Sequence, residues 1–215
     1  MARQLDVLFI NPDSSAKAYQ GLAQVYSAVE PPTWSLLLAE SCRAKGFGVA
    51  ILDCDAEKLT LDQAVSRIAE AAPRLIVMVV YGQNPNSGTT SMIGGLALAR
   101  AVKADGGHAP VCCVGSHVSA LPLEVLGHDC IDIVLLNEGV YALHQLLAGN
   151  LGSDLATTKG IGHKTRGPAG HPLPTLNPPQ GIVPQQRMDI DLPGYAWDLL
   201  PYREKPLDLY RAHFW

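Results

Sequence analysis

Five short apolar runs recur along the first 150 residues, and each predicts a strand that is buried on both faces. The runs lack alternating polar residues, which is typical of parallel strands covered by helices on both sides. The fourth run is rich in valine and ends abruptly at Gly115. The predicted strands are residues 5–10, 47–53, 75–80, 109–115 and 131–136.

The segments between these runs predict helices. Thr33 is a plausible N-cap and Gly46 a plausible C′ residue for a helix over residues 33–45. Further helices are expected at 61–72, 91–103 and 140–148, with a short one at 121–126, while residues 11–32 and 81–90 form loops. This alternation predicts an α/β fold with a doubly wound, five-stranded parallel sheet of the Rossmann-like or flavodoxin-like type.

The composition changes after Gly149. Residues 151–186 are dense in Gly, Pro, Thr and Lys and predict an extended connector, with a small hairpin near 160–164 and 180–183. Residues 191–201 are compact and aromatic, and aromatic residues cluster again at 210–215. We therefore expect a domain over residues 1–150 and a connector over residues 151–215, whose aromatic end either packs on something else or marks a chain cut at a boundary.

Composition excludes several classes of protein. The formal net charge is −4 without a basic run, which argues against nucleic acid as a partner. No apolar segment is long enough to span a membrane, and no signal peptide is recognisable. The five scattered cysteines favour reduced thiols and a cytoplasmic location, and without a Cys-x-x-Cys or Cys/His cluster a structural zinc site is not expected.

Small and neutral hydrogen-bonding residues follow the predicted strands. In open α/β sheets ligands bind at the carboxyl ends of the strands, and such residues suit a large ligand with many amide groups. Each residue alone is as readily explained as a turn or cap residue, and only their convergence on one edge favours a ligand. The predicted ligand-contacting residues are Asn11, Ser14, Tyr81, Gly82, Gln83, Asn84, Gly115, Ser116, His117, Val118, Asn137, Glu138 and Gly139.

Some individual residues have equally good structural explanations. His117 suits a hydrogen-bonded structural role as well as ligand contact, and Glu138 suits capping of the next helix through its charge. Cys112 and Cys113 should point to opposite faces of the sheet as core thiols, and Trp34 is expected to pack rather than stack on a ligand.

Other uses of this fold do not match the sequence. A dinucleotide site needs G-x-G-x-x-G after the first strand, where residues 11–16 read NPDSSA, and a P-loop is absent. The acidic and lysine positions of a receiver domain are also not filled. A hydrolase or transferase using His117 and Glu138 would lack a nucleophile, because Ser116 and Ser119 are not in a nucleophile elbow.

Several motifs together resemble the N-terminal cobalamin (B12)-binding domain of B12-dependent radical SAM enzymes. The resemblance covers roughly residues 5–150, and PGYAWDLLP at 193–201 resembles the segment that joins this domain to the radical SAM barrel. The motifs are VLFINP at 7–12, EPPTWSLLLA at 30–39, ILDCDA at 51–56, VGSHVSALP at 114–122 and NEG at 137–139.

The resemblance implies that the ligand is cobalamin. The Asp-x-His-x-x-Gly motif, which supplies a histidine ligand below cobalt in methionine synthase-like cobalamin proteins, is missing. The resemblance therefore implies base-off binding without a histidine ligand. It also implies that the dimethylbenzimidazole tail lies near Gly82, Gly115 and Ser116. The Cys-x-x-x-Cys-x-x-Cys motif is also missing, so the [4Fe–4S] cluster and S-adenosylmethionine are expected in a C-terminal radical SAM domain. This chain should then hold no catalytic residue and no protein ligand to a metal, and its parent enzyme should be a methyltransferase or carry out related radical chemistry. The alternative is a non-catalytic small-molecule sensor or interaction domain of the same fold.

Overall fold

A seven-stranded, mostly parallel sheet forms the centre of the protein. The computed structural model describes residues 4–15, 28–81, 85–107, 109–152, 154–167, 170–204 and 209–210, with only the backbone described at 85–87. The strand order is β2-β1-β3-β4-β5-β6-β7, in which β1 to β5 are parallel and β6 and β7 are antiparallel additions at one edge. The strands are β1 Val7–Asn11, β2 Val49–Asp53, β3 Leu75–Val79, β4 Val111–Val114, β5 Ile133–Leu135, β6 Ile161–Arg166 and β7 Pro172–Leu176.

Helices cover both faces of this sheet. Within the described ranges the α-helices are α1 Thr33–Ala44, α2 Leu61–Ala71, α3 Pro85–Ala104, α4 Ser116–Ala120, α5 Pro122–Leu126, α6 Val140–Ala148 and α7 Met188–Asp191. Helices α2 to α5 pack on one face and α1 and α6 on the other, with strand residues alternating between the two core clusters. Cys112 and Cys113 belong to opposite clusters, as expected.

The predicted five-stranded sheet is correct in class but two strands short. The hairpin lies at β6 and β7, so its first strand falls where it was expected, whereas its second strand is at 172–176 and not at 180–183. Strand β7 carries Pro172 and Pro174, which hide a strand in the sequence. Proline is tolerated there because β7 is an edge strand, where a missing N–H need not break the ladder.

Most of the helix predictions agree with the structure, with two corrections at helix starts. Helix α3 begins at Pro85, inside the predicted loop 81–90, because proline fits the first position of a helix. Thr33 is the first helical residue rather than the N-cap, which is Pro32. Gly46 has the positive φ of +90° expected of a residue just beyond a helix end, and α6 has the predicted bounds. The predicted short helix over 121–126 is α5, and α4, which precedes it, was not predicted.

The chain beyond β7 crosses α1 and α6 as a strap, which we define as residues 181–200. Val183, Ala196 and Leu200 are buried, and the Ala196 N–H donates to the Leu36 carbonyl of α1 at 3.2 Å. The predicted connector is therefore packed on the helix layer along this part of its length. In the part of the chain that the structure describes, no helix is long and apolar enough to cross a membrane.

Candidate functional site

The carboxyl ends of the parallel strands bring the predicted site residues to one edge. The register pairs Ile10 with Met78, Val79 with Val114, and Val114 with Leu135. The residues that follow these positions therefore leave the sheet side by side. Gly82, Gln83 and Asn84 of the predicted set lie outside the described residues, as do Tyr19 and Tyr26 of the long first loop.

The end of β1 is tied to the end of β2. The Asn11 side-chain amide donates to Asp53 Oδ1 at 2.8 Å, and the Tyr210 hydroxyl donates to Asp53 Oδ2 at 3.0 Å. Asp53 is only 1% exposed, and this burial raises its pKa to about 6, although the hydrogen bond from Asn11 opposes the shift. Asn11, predicted as a ligand contact, thus donates its amide to a buried carboxyl group.

Helix α3 packs directly against the loop after β1. The Ser14 hydroxyl donates to the Ser91 carbonyl at 3.1 Å and accepts the Gly94 N–H at 3.2 Å. A Cβ atom on Gly94 would overlap the carbonyl of Asp13, so only glycine allows this approach. The hydrogen-bonding groups of Ser14 therefore hold α3 in place.

Glycine is also required where β4 ends. A Cβ atom on Gly115 would overlap the Val80 carbonyl at the end of β3, and one on Gly88 of α3 would overlap the Ser116 hydroxyl. The close neighbour that Gly115 admits is therefore the adjacent strand of the protein. Its proposed contact with a ligand is neither required nor excluded by this packing.

Two hydroxyl groups at the start of α4 are buried without a partner. Ser116 Oγ and Ser119 Oγ have no hydrogen-bond partner among the described residues. Residues three apart lie on the same face of a helix, so both hydroxyls can serve one ligand. Buried polar atoms are almost always satisfied, so these hydroxyls can accept a ligand group or a water, as can the buried Trp34 Nε1 and Ser35 Oγ of α1. Ser119 was outside the predicted set.

Two other residues of this segment have structural contacts. His117 Nδ1 lies 3.1 Å from the Thr89 hydroxyl of α3. Val118 is fully buried in the core cluster under α4, so its side chain contacts protein. Only the backbone of Val118 is available for the predicted ligand contact.

The loop Asn137–Glu138–Gly139 follows β5 and is held from two sides. The Tyr81 hydroxyl donates to the Asn137 carbonyl at 3.2 Å, and the Glu138 carboxylate accepts the N–H of Val183 in the strap. Burial raises the pKa of Tyr81, and nearby Glu138 raises it further. Glu138 therefore bonds to the strap, which the sequence did not indicate. Trp34 packs on Tyr81 with ring centroids 5.2 Å apart, in line with its predicted packing role.

The described residues do not bring metal ligands together at this edge or elsewhere: no group of three or more His, Cys, Asp or Glu suited to a metal ion occurs among them. Apart from the carboxyl groups of Asp53 and Glu138, which bond within the protein, the groups described at the edge are neutral donors, acceptors and backbone. Such a lining suits an uncharged, amide-rich ligand better than an anion or a bare metal ion.

Comparison with known families agrees with this arrangement. The family model of the B12 binding domain matches residues 19–147, which is more than half of the chain. The chain therefore belongs to the B12-binding domain family. No curated protein matches it.

Solved structures with the same fold include cobalamin-dependent radical enzymes. One of them is the radical S-adenosylmethionine methyltransferase TsrM from Kitasatospora setae, with its tryptophan substrate and the SAM analogue aza-SAM bound. It aligns with a TM-score of 0.60 and 18% sequence identity, and the alignment covers 83% of this chain and 31% of TsrM. The structure of the same enzyme with cobalamin and a [4Fe–4S] cluster bound aligns with a TM-score of 0.60 and 17% sequence identity, covering 85% of this chain and 30% of TsrM. Apo OxsB, a cobalamin-dependent S-adenosylmethionine radical enzyme, aligns with a TM-score of 0.57 and 13% sequence identity, covering 92% of this chain and 24% of OxsB. This chain thus spans less than a third of these proteins, and its B12-binding domain is similar to those of B12-dependent radical SAM enzymes.

Proposed function

We propose that this chain holds cobalamin at the carboxyl edge of its sheet as the corrinoid module of a radical SAM enzyme. The observation that carries this proposal is the pair of buried, unpartnered hydroxyls of Ser116 and Ser119, in a chain of the B12-binding family. Cobalamin carries amide side chains and a nucleotide tail, which offer both donors and acceptors to such hydroxyls. The residues present therefore fit the cofactor.

The parts of the site divide by what each can do. Ser116 and Ser119 would donate to or accept from the cofactor, and the backbone beside Gly115, Asn137 and Gly139 would approach it closely. When bound, cobalamin supplies a redox-active cobalt for methyl transfer or related radical chemistry. The protein's contribution is to hold the cofactor, orient it and keep water from its buried side.

We further propose that the cofactor binds base-off and without a histidine ligand to cobalt. The Asp-x-His-x-x-Gly motif does not occur anywhere in the sequence. The one histidine of the predicted set, His117, has Nδ1 within hydrogen-bond distance of Thr89. His117→Ala should therefore leave the visible spectrum of the bound cofactor unchanged. A shift of the cobalamin absorption bands in this variant would show that His117 binds cobalt.

The catalytic partner would be a radical SAM domain with its own [4Fe–4S] cluster and S-adenosylmethionine. This chain spans only 24–31% of the neighbouring enzymes and contains no Cys-x-x-x-Cys-x-x-Cys motif. Two of the neighbouring structures are of a methyltransferase, which supports methyl transfer as the reaction of the parent enzyme. The domain boundary near residue 150 remains a prediction.

The test is a titration of the chain with hydroxocobalamin, followed by its visible spectrum and by thermal shift. We expect saturable binding of about one corrin per chain, with a base-off spectrum at saturation. No saturable binding by this chain, nor by a chain extended beyond Trp215, would overturn the proposal and favour a sensor or interaction domain.

Serine variants make this titration specific to the site. Ser116→Ala and Ser119→Ala should each weaken hydroxocobalamin binding about threefold to tenfold, the equivalent of one hydrogen bond. Thermal stability should stay unchanged, because the deleted hydroxyls have no partner within the described part of the chain. Ser41→Ala is the matched control: Ser41 is 1% exposed and bonds to His144 and the Asp191 carbonyl. That variant should lose stability and keep its affinity for cobalamin.

A further inference from the structure

The strap contacts the candidate site at one buried residue. Within residues 181–190, Val183 is buried at 7% exposure while its neighbours on both sides are exposed. Its N–H donates to the Glu138 carboxylate in the loop after β5. The strap therefore meets the edge of the sheet through a charge-assisted hydrogen bond, which is stronger than a neutral one.

The rest of the strap is fastened to the helices away from this edge. Asp191 is 1% exposed and accepts hydrogen bonds from Lys45 beyond α1 at 2.9 Å and from Tyr141 of α6 at 2.7 Å. Asp198 pairs with Arg43 of α1 at 2.7 Å. The strap is thus also held by anchors on the helix layer of α1 and α6, separate from its bond to Glu138.

The loop that Glu138 belongs to has a demanding backbone conformation. Asn137 and Gly139 both have positive φ angles, of 56° and 73°. Such conformations persist where surrounding contacts hold them. The contacts here are Tyr81 on one side, through the Asn137 carbonyl, and Val183 on the other, through Glu138.

We infer that Glu138 is a positioning residue that couples the strap to the cobalamin edge, and that it does not itself contact the cofactor. This inference rests on the proposed function. If Glu138 turned to a ligand, the N–H of the buried Val183 would lose its partner, which is costly for a buried donor. A docked strap and a bound cofactor instead favour the same loop conformation, so each strengthens the other by the same factor.

The first arm of the test compares variants by hydroxocobalamin titration. Glu138→Ala should weaken binding about tenfold, within the usual range for coupled sites, and Glu138→Gln should restore most of the affinity because its amide oxygen still accepts the Val183 N–H. Asp105→Asn, at an exposed carboxylate after α3 and outside the strap, controls for the loss of one charge and should keep the parent affinity. Equal losses in the Ala and Gln variants would overturn the inference in favour of a direct contact by the charged group.

The second arm uses the unaltered chain, so it does not depend on a variant that folds. Hydroxocobalamin at saturation should slow hydrogen exchange of the Val183 amide by about the same tenfold factor, because coupling is reciprocal. Binding without any change at this amide would overturn the inference alone. A chain that does not bind hydroxocobalamin would overturn the proposed function, and the inference with it.

Discussion

Asp53 gives this protein a pH-dependent stability that can be predicted in sign and size. Its carboxyl group is 1% exposed at the end of β2, and burial raises its pKa from 3.8 to about 6. A raised pKa means that the folded state prefers the protonated form. The stabilising contribution is therefore complete below about pH 4 and is lost as the pH rises through about 6.

The size of the effect follows from the pKa difference. A shift of about 2 units at about 1.4 kcal/mol per unit corresponds to roughly 3 kcal/mol of unfolding free energy. Asp53→Asn removes the charge and keeps an oxygen that can accept from Asn11 and from the Ala56 N–H. The new amide N–H₂ can donate to the Tyr210 hydroxyl oxygen, which is the group now facing Oδ2.

Urea denaturation at pH 4, 6 and 8 measures this difference directly. We expect Asp53→Asn to match the parent chain at pH 4 and to be more stable at pH 8, by up to about 3 kcal/mol. The same change at exposed Asp105 controls for the loss of one charge. A difference that is constant between pH 4 and 8, or a variant less stable at pH 8, would refute the reasoning.

Three further predictions concern the strap, the glycines and the thiols. Asp191→Asn should lower the free energy of unfolding by about 3 kcal/mol at pH 7 and speed proteolysis of the strap. The reason is that hydrogen-bond donors from Arg187, Lys45 and Tyr141 stabilise the ionised carboxylate and hold the pKa of Asp191 well below its usual range. Unchanged cleavage of the strap would contradict this. Gly94→Ala should lower the free energy of unfolding, measured by urea denaturation, by about 1–3 kcal/mol, because the new Cβ would overlap the Asp13 carbonyl. Gly46→Ala is the comparison: its Cβ would enter open space, so only the strain of the positive φ, about 1 kcal/mol, is expected. Burial shields the five thiols from reagents and raises their pKa, so the folded chain should react with Ellman's reagent only on unfolding. A fast reaction of the folded chain would contradict the burial of these thiols, which belong to Cys42, Cys54, Cys112, Cys113 and Cys130.

The central strands were predictable because burial on both faces leaves a clear mark in the sequence. Strand β3, Leu75–Val79, is buried at every position and reads as an unbroken apolar run. Strand β7, Pro172–Leu176, is half exposed and contains two prolines, so no hydrophobic pattern reveals it. Its place in the sheet depends on pairing with β6 across a short connection, which composition does not encode.

The convergence of residues on one edge was also predictable, but the use of each residue was not. Parallel strands must deliver their carboxyl ends to the same side, so Gly115 and Asn137 meet there. The sequence does not show that a Cβ on Gly115 would overlap Val80, or that Glu138 bonds to Val183 in a distant part of the chain. Such contacts follow from tertiary packing rather than local pattern.

The hydrogen-bonding groups that remain without a partner among the described residues indicate which part of the sheet edge is best suited to bind a ligand. Asn11, Ser14 and Glu138 are each oriented by hydrogen bonds within the protein, so only their remaining donors or lone pairs are available to a ligand. Ser116 and Ser119 would gain a bond on binding without losing one. A neutral, amide-rich ligand therefore gains most at the first turn of α4, which makes this turn, rather than the loop after β5, the centre of the proposed cobalamin site.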